Sequence, residues 1–266
     1  MIKSLNLFAN GKSKTYGLIG KTLKHSYSGK YFAQKFKVEN IGNSKYLHFE
    51  IDDLKEFPKL IEAHPDLVGL NITIPFKKTI IHYLDEIDRS SRFIGAVNTI
   101  KISRKNNKPF LSGYNTDAYG FEKTLLPLLK PHHHKALVLG TGGASRAVVY
   151  VLRKNGISYL EVTRFPYKSN QIGYDMISDE IVREYNIIIN TTPVGMYPHV
   201  DDLVNIPYES LDQTNLLYDL VYNPEETQFL KAGKSKGATT INGIGMFELQ
   251  AERSWKIWNK KSILPF

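Results

Sequence analysis

Apolar runs of strand length alternate with stretches of helical spacing along the whole chain, and midway the series starts again on VLGTGGASR (138–146). That doubled alternation constrains the fold more than any other feature. KTYGLIG, YLHFEI and LVGLNITIPF have the composition of strands, and SGKYFAQKFKVENI and LKEFPKLIEAH the spacing of helices between them. A βαβαβ order implies a parallel or mixed sheet covered by helices. TIIHYLDEIDR is expected as the next helix, followed by a loop carrying SRFIGAVNTI and a strand pair about the turn RKNNKP. NTDAYGFEKTLLPLLK is expected as a helix capped by Thr116 or Asp117, and the following PHHH marks a natural boundary. Beyond it come a strand, a Gly-rich turn and a helix stopping at Asn155-Gly156, then strands at YLEVTR, NIIINTT, LLYDLVY and GATTINGIG. In the terminal MFELQAERSWKIW, Met246, Leu249, Trp255 and Trp258 fall partly on one side, so this helix is expected to pack back on the first module.

The fold class is therefore α/β with two modules, and 266 residues suffice for two cores. An apolar content of 42% and a charged content of 23% exclude extensive disorder. No apolar run approaches the ~20 residues of a membrane span, and MIKSLNLFANGK has too short an apolar core for a signal peptide. A soluble cytoplasmic protein is expected, with no membrane partner. The absence of Cys excludes disulfides and thiolate metal ligands. The formal charge of +9 is skewed, with no acidic residue before Glu39 but eight lysines from Lys3 to Lys37. These lysines lack the aromatic interleaving or groove-reading motif of a nucleic-acid binder. A solvated face, or a field that attracts small anions, suits them better. His132, His133 and His134 are consecutive on a turn, where solvent exposure is expected and a metal site is not.

In VLGTGGASR the glycines follow a buried strand and open a helix, the context of a dinucleotide fingerprint. Gly140 would allow the tight turn and Gly142 the approach of a pyrophosphate to the helix N-terminus. Ser145 replaces the third glycine, and no Lys-Ser/Thr pair follows to make a Walker loop. An NAD site usually ends the next strand with an acid that bonds the ribose 2′-hydroxyl. Here the strand ends in Thr163-Arg164 with Lys168 nearby, and Glu161 lies two residues too early. Cations at that position suit the 2′-phosphate of NADP.

The stretch NITIPFKKTI (71–80) sets Asn71 and Thr73 on one face of a strand, with Ile72 and Ile74 on the other, and Lys77 where the chain leaves the sheet. Most lysines are surface residues, so Lys77 and Lys78 could simply open a helix.

The motifs YGLIG with HSYS, NITIPFK, GAVNT, GYNTDAYGF, LGTGGASR, NTTPVGM, YDLVYNP and GIGMFELQ occur in the order and spacing of one family, and along nearly its whole length the chain resembles the shikimate dehydrogenases. The resemblance implies NADPH-dependent, reversible reduction of 3-dehydroshikimate to shikimate in the pathway to aromatic amino acids. It implies a substrate-binding domain at 1–116, a Rossmann-like NADP domain at 117–242, and a return of 243–266 to the first. It implies that Lys77 and Asp117 are the catalytic pair. Ser26 and Ser28, with Tyr222, correspond to groups that hold the substrate carboxylate, and Thr73, Asn98, Asp117 and Gln250 to groups that bind the ring hydroxyls. Gly140, Thr141, Gly142, Gly143 and Ala144 match the pyrophosphate turn, Thr163, Arg164 and Lys168 the 2′-phosphate clamp, and Leu220 and Gly243 the nicotinamide side. A monomer or homodimer acting on small molecules, with no metal and no nucleic acid, is expected.

The chain departs from the family pattern at Gly29, where proline is usual, at Thr163-Arg164-Phe165, where Asn-Arg-Thr is commoner, and between Arg164 and Asn186, a segment too short for the usual long crossover helix. The alternatives are a quinate/shikimate dehydrogenase of broader substrate or cofactor range and a non-catalytic NADP-binding module.

Overall fold

The computed structural model describes residues 13–24 and 26–260. The basic opening segment before residue 13, His25 of HSYS, and residues 261–266 lie outside the described residues.

The first sheet is built from β1 (Lys14–Gly20), β2 (Ser44–Glu50), β3 (Leu67–Ile72), β4 (Glu86–Ile87), β5 (Thr99–Lys105) and β6 (Lys108–Tyr114), in the order β2-β1-β3-β5-β6-β4. β1 runs parallel to β2 and β3, while β5 runs antiparallel to β3 and β6, so the sheet is mixed as the sequence implied. The helices here are α1 (Ser28–Val38), α2 (Phe57–Ala63) and α3 (Arg89–Ile94). One face of the sheet carries Ile19, Leu70, Ile72, Phe76, Ile80 and Ile100; another cluster joins Tyr16, Phe32 and Phe36 to Trp258.

Two local expectations fail here. TIIHYLDEIDR is not a helix: a 3-10 turn at Thr79–Tyr83 gives way to β4. Asp85 donates its backbone N–H to the Leu111 carbonyl at 3.0 Å and its side chain accepts from the Leu111 N–H at 2.7 Å, so pairing with β6 overrides helix propensity. β3 ends at Ile72 and Ile74 is 68% exposed. The Phe76 N–H turns back to the Thr73 carbonyl, and Phe76 takes the buried place expected for Ile74.

The second sheet contains β7 (Lys135–Leu139), β8 (Ser158–Val162), β9 (Gln171–Ile172), β10 (Ile187–Asn190), β11 (Leu216–Asp219) and β12 (Thr239–Ile241), all parallel, in the order β12-β11-β10-β7-β8-β9. Ala136 to Leu139 are fully buried, as a parallel strand covered on both faces requires. The accompanying helices are α4 (Asp117–Leu125), α5 (Gly143–Lys154), α6 (Asp179–Glu184), α7 (Gln228–Ser235) and α8 (Ile244–Asn259). Between Arg164 and Asn186 the chain has only β9, a 3-10 turn and the short α6, so this layer is reduced as its length suggested.

Thr116 stands at the N-cap of α4, as expected, but its side chain makes no capping bond. Asn115 accepts the Ala118 N–H at 3.0 Å, which frees the two following side chains for other partners. His133 also departs from expectation, being buried between the Lys130 N–H and the Thr214 carbonyl, both at 3.0 Å, with burial lowering its pKa. His132 and His134 are exposed, and no cluster suited to a metal ion exists among the described residues. Lys35, counted above among the anion-attracting lysines, is buried and bridges Glu39 and Glu252 at 2.5 and 2.8 Å.

α8 returns to the first sheet, but it serves both cores. Met246 packs with Phe121, Val148 and Tyr218, whereas Trp258 reaches the first sheet and donates its indole N–H to the Ile100 carbonyl at 3.0 Å. The crossing with α4 is close at Gly120, where a Cβ would lie 2.5 Å from the Met246 carbonyl oxygen. Gly120→Ala should therefore destabilise the protein by ~1–3 kcal/mol through overpacking, although the same change in an exposed helix would stabilise it; a melting temperature equal to or above the parent's would refute this.

Asp219, fully buried at the end of β11, accepts from Asn190 Nδ2, Val221 N and Thr227 Oγ1 at 3.0, 3.0 and 2.6 Å. Burial pushes its carboxyl from 3.8 up to about 6, against the pull of those donors. The nearby Tyr208 phenol is raised too, by burial first and the Asp219 charge second. A raised folded pKa contributes stability that is complete below 3.8 and lost as the pH climbs through about 6. The melting temperature of the parent relative to Asp219→Asn should fall between about pH 4 and about pH 6.5 and level off above it; a rise over that interval would mean that the donors outweigh burial.

Candidate active site

Lys77 lies in the turn after β3 and Asp117 is the first residue of α4. The ammonium meets the carboxylate at 2.6 Å, with only 15% and 7% of the two side chains exposed. The second Asp117 oxygen accepts from Asn98 Nδ2 at 2.8 Å, and Asn98 Oδ1 accepts the Thr116 N–H at 2.7 Å. Gln250 of α8 approaches the same Asn98 amide at 3.5 Å and Thr116 Oγ1 at 3.4 Å. A charge withdrawn from water needs such partners, and here they also fix its position.

From Thr116 the polar chain runs inward. Its hydroxyl meets Ser254 of α8 at 3.1 Å, Ser254 receives Asn71 Nδ2 at 3.0 Å, and Asn71 Oδ1 accepts from Tyr46 at 2.9 Å. Tyr46 in turn is hydrogen-bonded to the Ser28 hydroxyl, and burial raises its pKa. Asn71, placed by sequence on one strand face with Thr73, is buried; its amide is shared among Ser254, Thr99 and the Asn98 carbonyl, and it braces the site from behind. Tyr46, Thr99, Thr116 and Ser254 were missed by sequence reasoning. Their one signal is a polar side chain at a strand or helix position whose neighbours are apolar.

At the far end Ser26 Oγ accepts the Ser28 N–H at 3.3 Å. Tyr222 comes to the same place from the loop after β11. Its hydroxyl bonds the Tyr27 backbone and its ring packs against Tyr27 and Phe247 at centroid distances of 6.2 and 5.1 Å. Thr73, half-buried, stands between this group and Lys77 in sequence, just past the end of β3. Residues expected to act on one small molecule are thus drawn from both halves of the chain.

The Gly-rich turn faces them. Gly140 has φ +101°, open to glycine but not to other residues, and Gly142 has no neighbour within 4 Å of where a Cβ would stand, so a ligand could approach its backbone. Thr141 and Ala144 complete the turn into α5. Gly143 does something the sequence did not disclose: a Cβ there would lie 3.0 Å from the Lys77 Cβ, so glycine lets the start of α5 rest against the stem of that lysine. Ser145, at the third fingerprint position, is buried and donates to Glu161 Oε1 at 3.4 Å, while Gln171 Nε2 donates to Glu161 Oε2 at 3.3 Å. Glu161 is consumed by its own neighbours. Beyond β8, Arg164 and Lys168 are exposed beside the exposed rings of Phe165 and Tyr167, and Thr163 receives the Phe165 N–H at 3.5 Å. Leu220 and Gly243 are in contact, with the Gly243 N–H bonded to the Val221 carbonyl at 3.1 Å. An open glycine turn, exposed cations and a competing acid whose oxygens are already hydrogen-bonded fit a phosphorylated dinucleotide.

Residues 18–100 match the family described as the shikimate dehydrogenase substrate binding domain. The shikimate dehydrogenase (NADP(+)) of Methanococcus maripaludis is 40% identical over 265 residues, covering 94% of this chain and 93% of that protein. A crystal structure of shikimate dehydrogenase from Aquifex aeolicus superimposes with a TM-score of 0.80 at 34% identity, covering 96% of each chain. The Thermus thermophilus enzyme in complex with NADP(H) and shikimate gives a TM-score of 0.79 at 28% identity, covering 95% of each chain. With two sheets, a returning last helix and relatives alike from end to end, this chain belongs to the shikimate dehydrogenase family.

Proposed function

We propose that the protein is a cytoplasmic NADP-dependent shikimate dehydrogenase whose Lys77–Asp117 pair moves the proton while the cofactor exchanges hydride with the ring carbon, reversibly linking 3-dehydroshikimate and shikimate. The observation that carries this is the desolvated ion pair, set against Gly143 of the dinucleotide turn. NADP supplies the hydride chemistry, which no side chain can supply. Removing or returning the hydroxyl proton is left to the chain, and an ammonium held by a carboxylate can exchange that proton at a fixed point. Asp117 orients Lys77, and Asn98 orients Asp117.

Ser26 and Ser28, with Tyr222, hold the substrate carboxylate, and Thr73, Asn98, Asp117 and Gln250 bind its hydroxyls. Such a site, rich in hydroxyl and amide groups, discriminates by leaving buried polar atoms unpaired when a hydroxyl is missing. Gly140 to Ala144 receive the pyrophosphate, Thr163, Arg164 and Lys168 the 2′-phosphate, and Leu220 and Gly243 border the nicotinamide. The substrate half comprises 1–116 with 243–266, and the NADP half 117–242. In support, the strands up to Tyr114 form one sheet, those from Lys135 another, and α8 bonds back to the first. A monomer or homodimer suffices, since residues of one chain make up the site.

Following NADPH formation from shikimate, and from quinate as the control, tests the activity directly; no turnover of either acid would refute an enzymatic role. Lys77→Ala should lower kcat by ~10²–10⁴ with little change in KM, as expected for loss of a proton-transfer group. Near-normal kcat would leave Lys77 a structural partner of Asp117 with no part in proton transfer. Arg164→Ala should weaken NADP binding by about one to two orders of magnitude and leave NAD binding nearly unchanged, since only NADP carries a phosphate for its fork. Calorimetric Kd values for both cofactors decide this, and equal losses would mean that Arg164 acts elsewhere.

A further inference from the structure

Two adjacent lysines leave the end of β3 and part company. Lys77 goes to Asp117, while the Lys78 ammonium crosses to the second half of the molecule and donates to the Thr141 carbonyl in the Gly-rich turn at 3.1 Å. A carbonyl uses one of its three N–H donors and carries no compensating charge. Among the described residues Lys78 has no carboxylate within ion-pair distance. The acid whose charge acts on it is Glu161, which already accepts from Ser145 and Gln171. The other charges acting on it are the cations Arg146 and Lys168, and half-burial followed by their repulsion lowers its pKa. Arg146, one turn into α5, lies over Gly95 of the first half, so a second cation also spans the two halves at this turn.

Two cations at one glycine turn, Lys78 and Arg146, with the Lys168 charge adding to the repulsion, are unfavourable unless an anion joins them. The turn leaves Gly142 open, and it is the segment already assigned to the cofactor's pyrophosphate. We propose that Lys78 is a diphosphate-binding residue supplied by the substrate half, directed at the phosphate bridge common to NADP and NAD rather than at the 2′-phosphate. The inference rests on the dinucleotide-binding role proposed above. Lys78 thereby ties occupancy of the turn to the segment that carries its neighbour Lys77, because one backbone presents both ammonium groups.

The test is calorimetric binding of NADP, NAD and adenosine 2′-monophosphate to the parent, Lys78→Met and Lys78→Arg. Methionine keeps the stem and removes the charge. Lys78→Met should weaken NADP and NAD by the same factor, about tenfold for a charge-assisted contact in a half-buried site. Adenosine 2′-monophosphate, which lacks the bridge, should bind as to the parent, and Lys78→Arg should recover most of the loss. This separates Lys78 from Arg164, whose removal is felt by NADP alone. Unchanged Kd values for both dinucleotides would overturn the assignment, as would an equal loss for adenosine 2′-monophosphate, which would report a general field or a disturbed fold. A parent that binds neither dinucleotide would overturn the NADP assignment itself, and this inference with it.

Discussion

An ammonium and a carboxylate meet at 2.6 Å with most of both side chains out of water, and much of the surrounding structure follows from keeping them there. Removing one member of such a pair leaves an uncompensated charge at a cost of about 3–5 kcal/mol, so its geometry must be held and its remaining lone pairs satisfied. Asn98 does this for Asp117, and Thr116 and Gln250 do it for Asn98. Thr116 in turn depends on Ser254, which only α8 can bring. The last helix of the chain is thus part of the support of a residue 137 positions earlier, if the count is taken from Asp117 to Ser254. One hydrogen-bonded path continues through Asn71 and Tyr46 to Ser28, so the Lys77–Asp117 pair and the start of α1 share a single polar brace.

Close approach between the halves is achieved where side chains are missing. Gly143 lets the start of α5 touch the Lys77 stem, and Gly120 lets α4 cross α8 with backbone nearly in contact. α8 completes the arrangement by burying Met246 with the second core and Trp258 with the first. A reacting alcohol and a dinucleotide must be brought to within bonding distance of each other, and a site contributed by two sheets meets that need only if their loops abut.

Charge around the Gly-rich turn is arranged by subtraction as well as addition. Glu161, the acid best placed to select NAD, is occupied by Ser145 and Gln171, and Gln171 also accepts the Tyr167 N–H at 3.2 Å. The replacement of the third fingerprint glycine by serine thus acquires a physical role: its hydroxyl restrains the acid and helps hold the loop that presents Arg164 and Lys168. The skewed positive charge of the first forty residues has a more mixed meaning, since Lys35 is a buried structural partner of Glu252.

The alternation of strand and helix, the Gly-rich turn and the cations after the next strand determined the fold class and pointed to NADP, because these depend on period, on φ and on charge carried within a few residues; Lys77 and Asp117 were singled out by the resemblance of the motifs to one family. Where local preference competed with distant partners, sequence misled: TIIHYLDEIDR became a 3-10 turn and an edge strand because β6 offered backbone pairing. Thr116 kept the N-cap position of α4, but the capping bond went to Asn115 while Thr116 and Asp117 turned to Asn98 and Lys77. Asn71, placed by sequence only on a strand face with Thr73, is a buried strut; Tyr46 and Ser254 carried no signal of a role. Only the tertiary structure decided these roles, since a polar side chain's function depends on which unpaired donor or acceptor stands within about 3 Å of it, and those partners lie tens to hundreds of residues away.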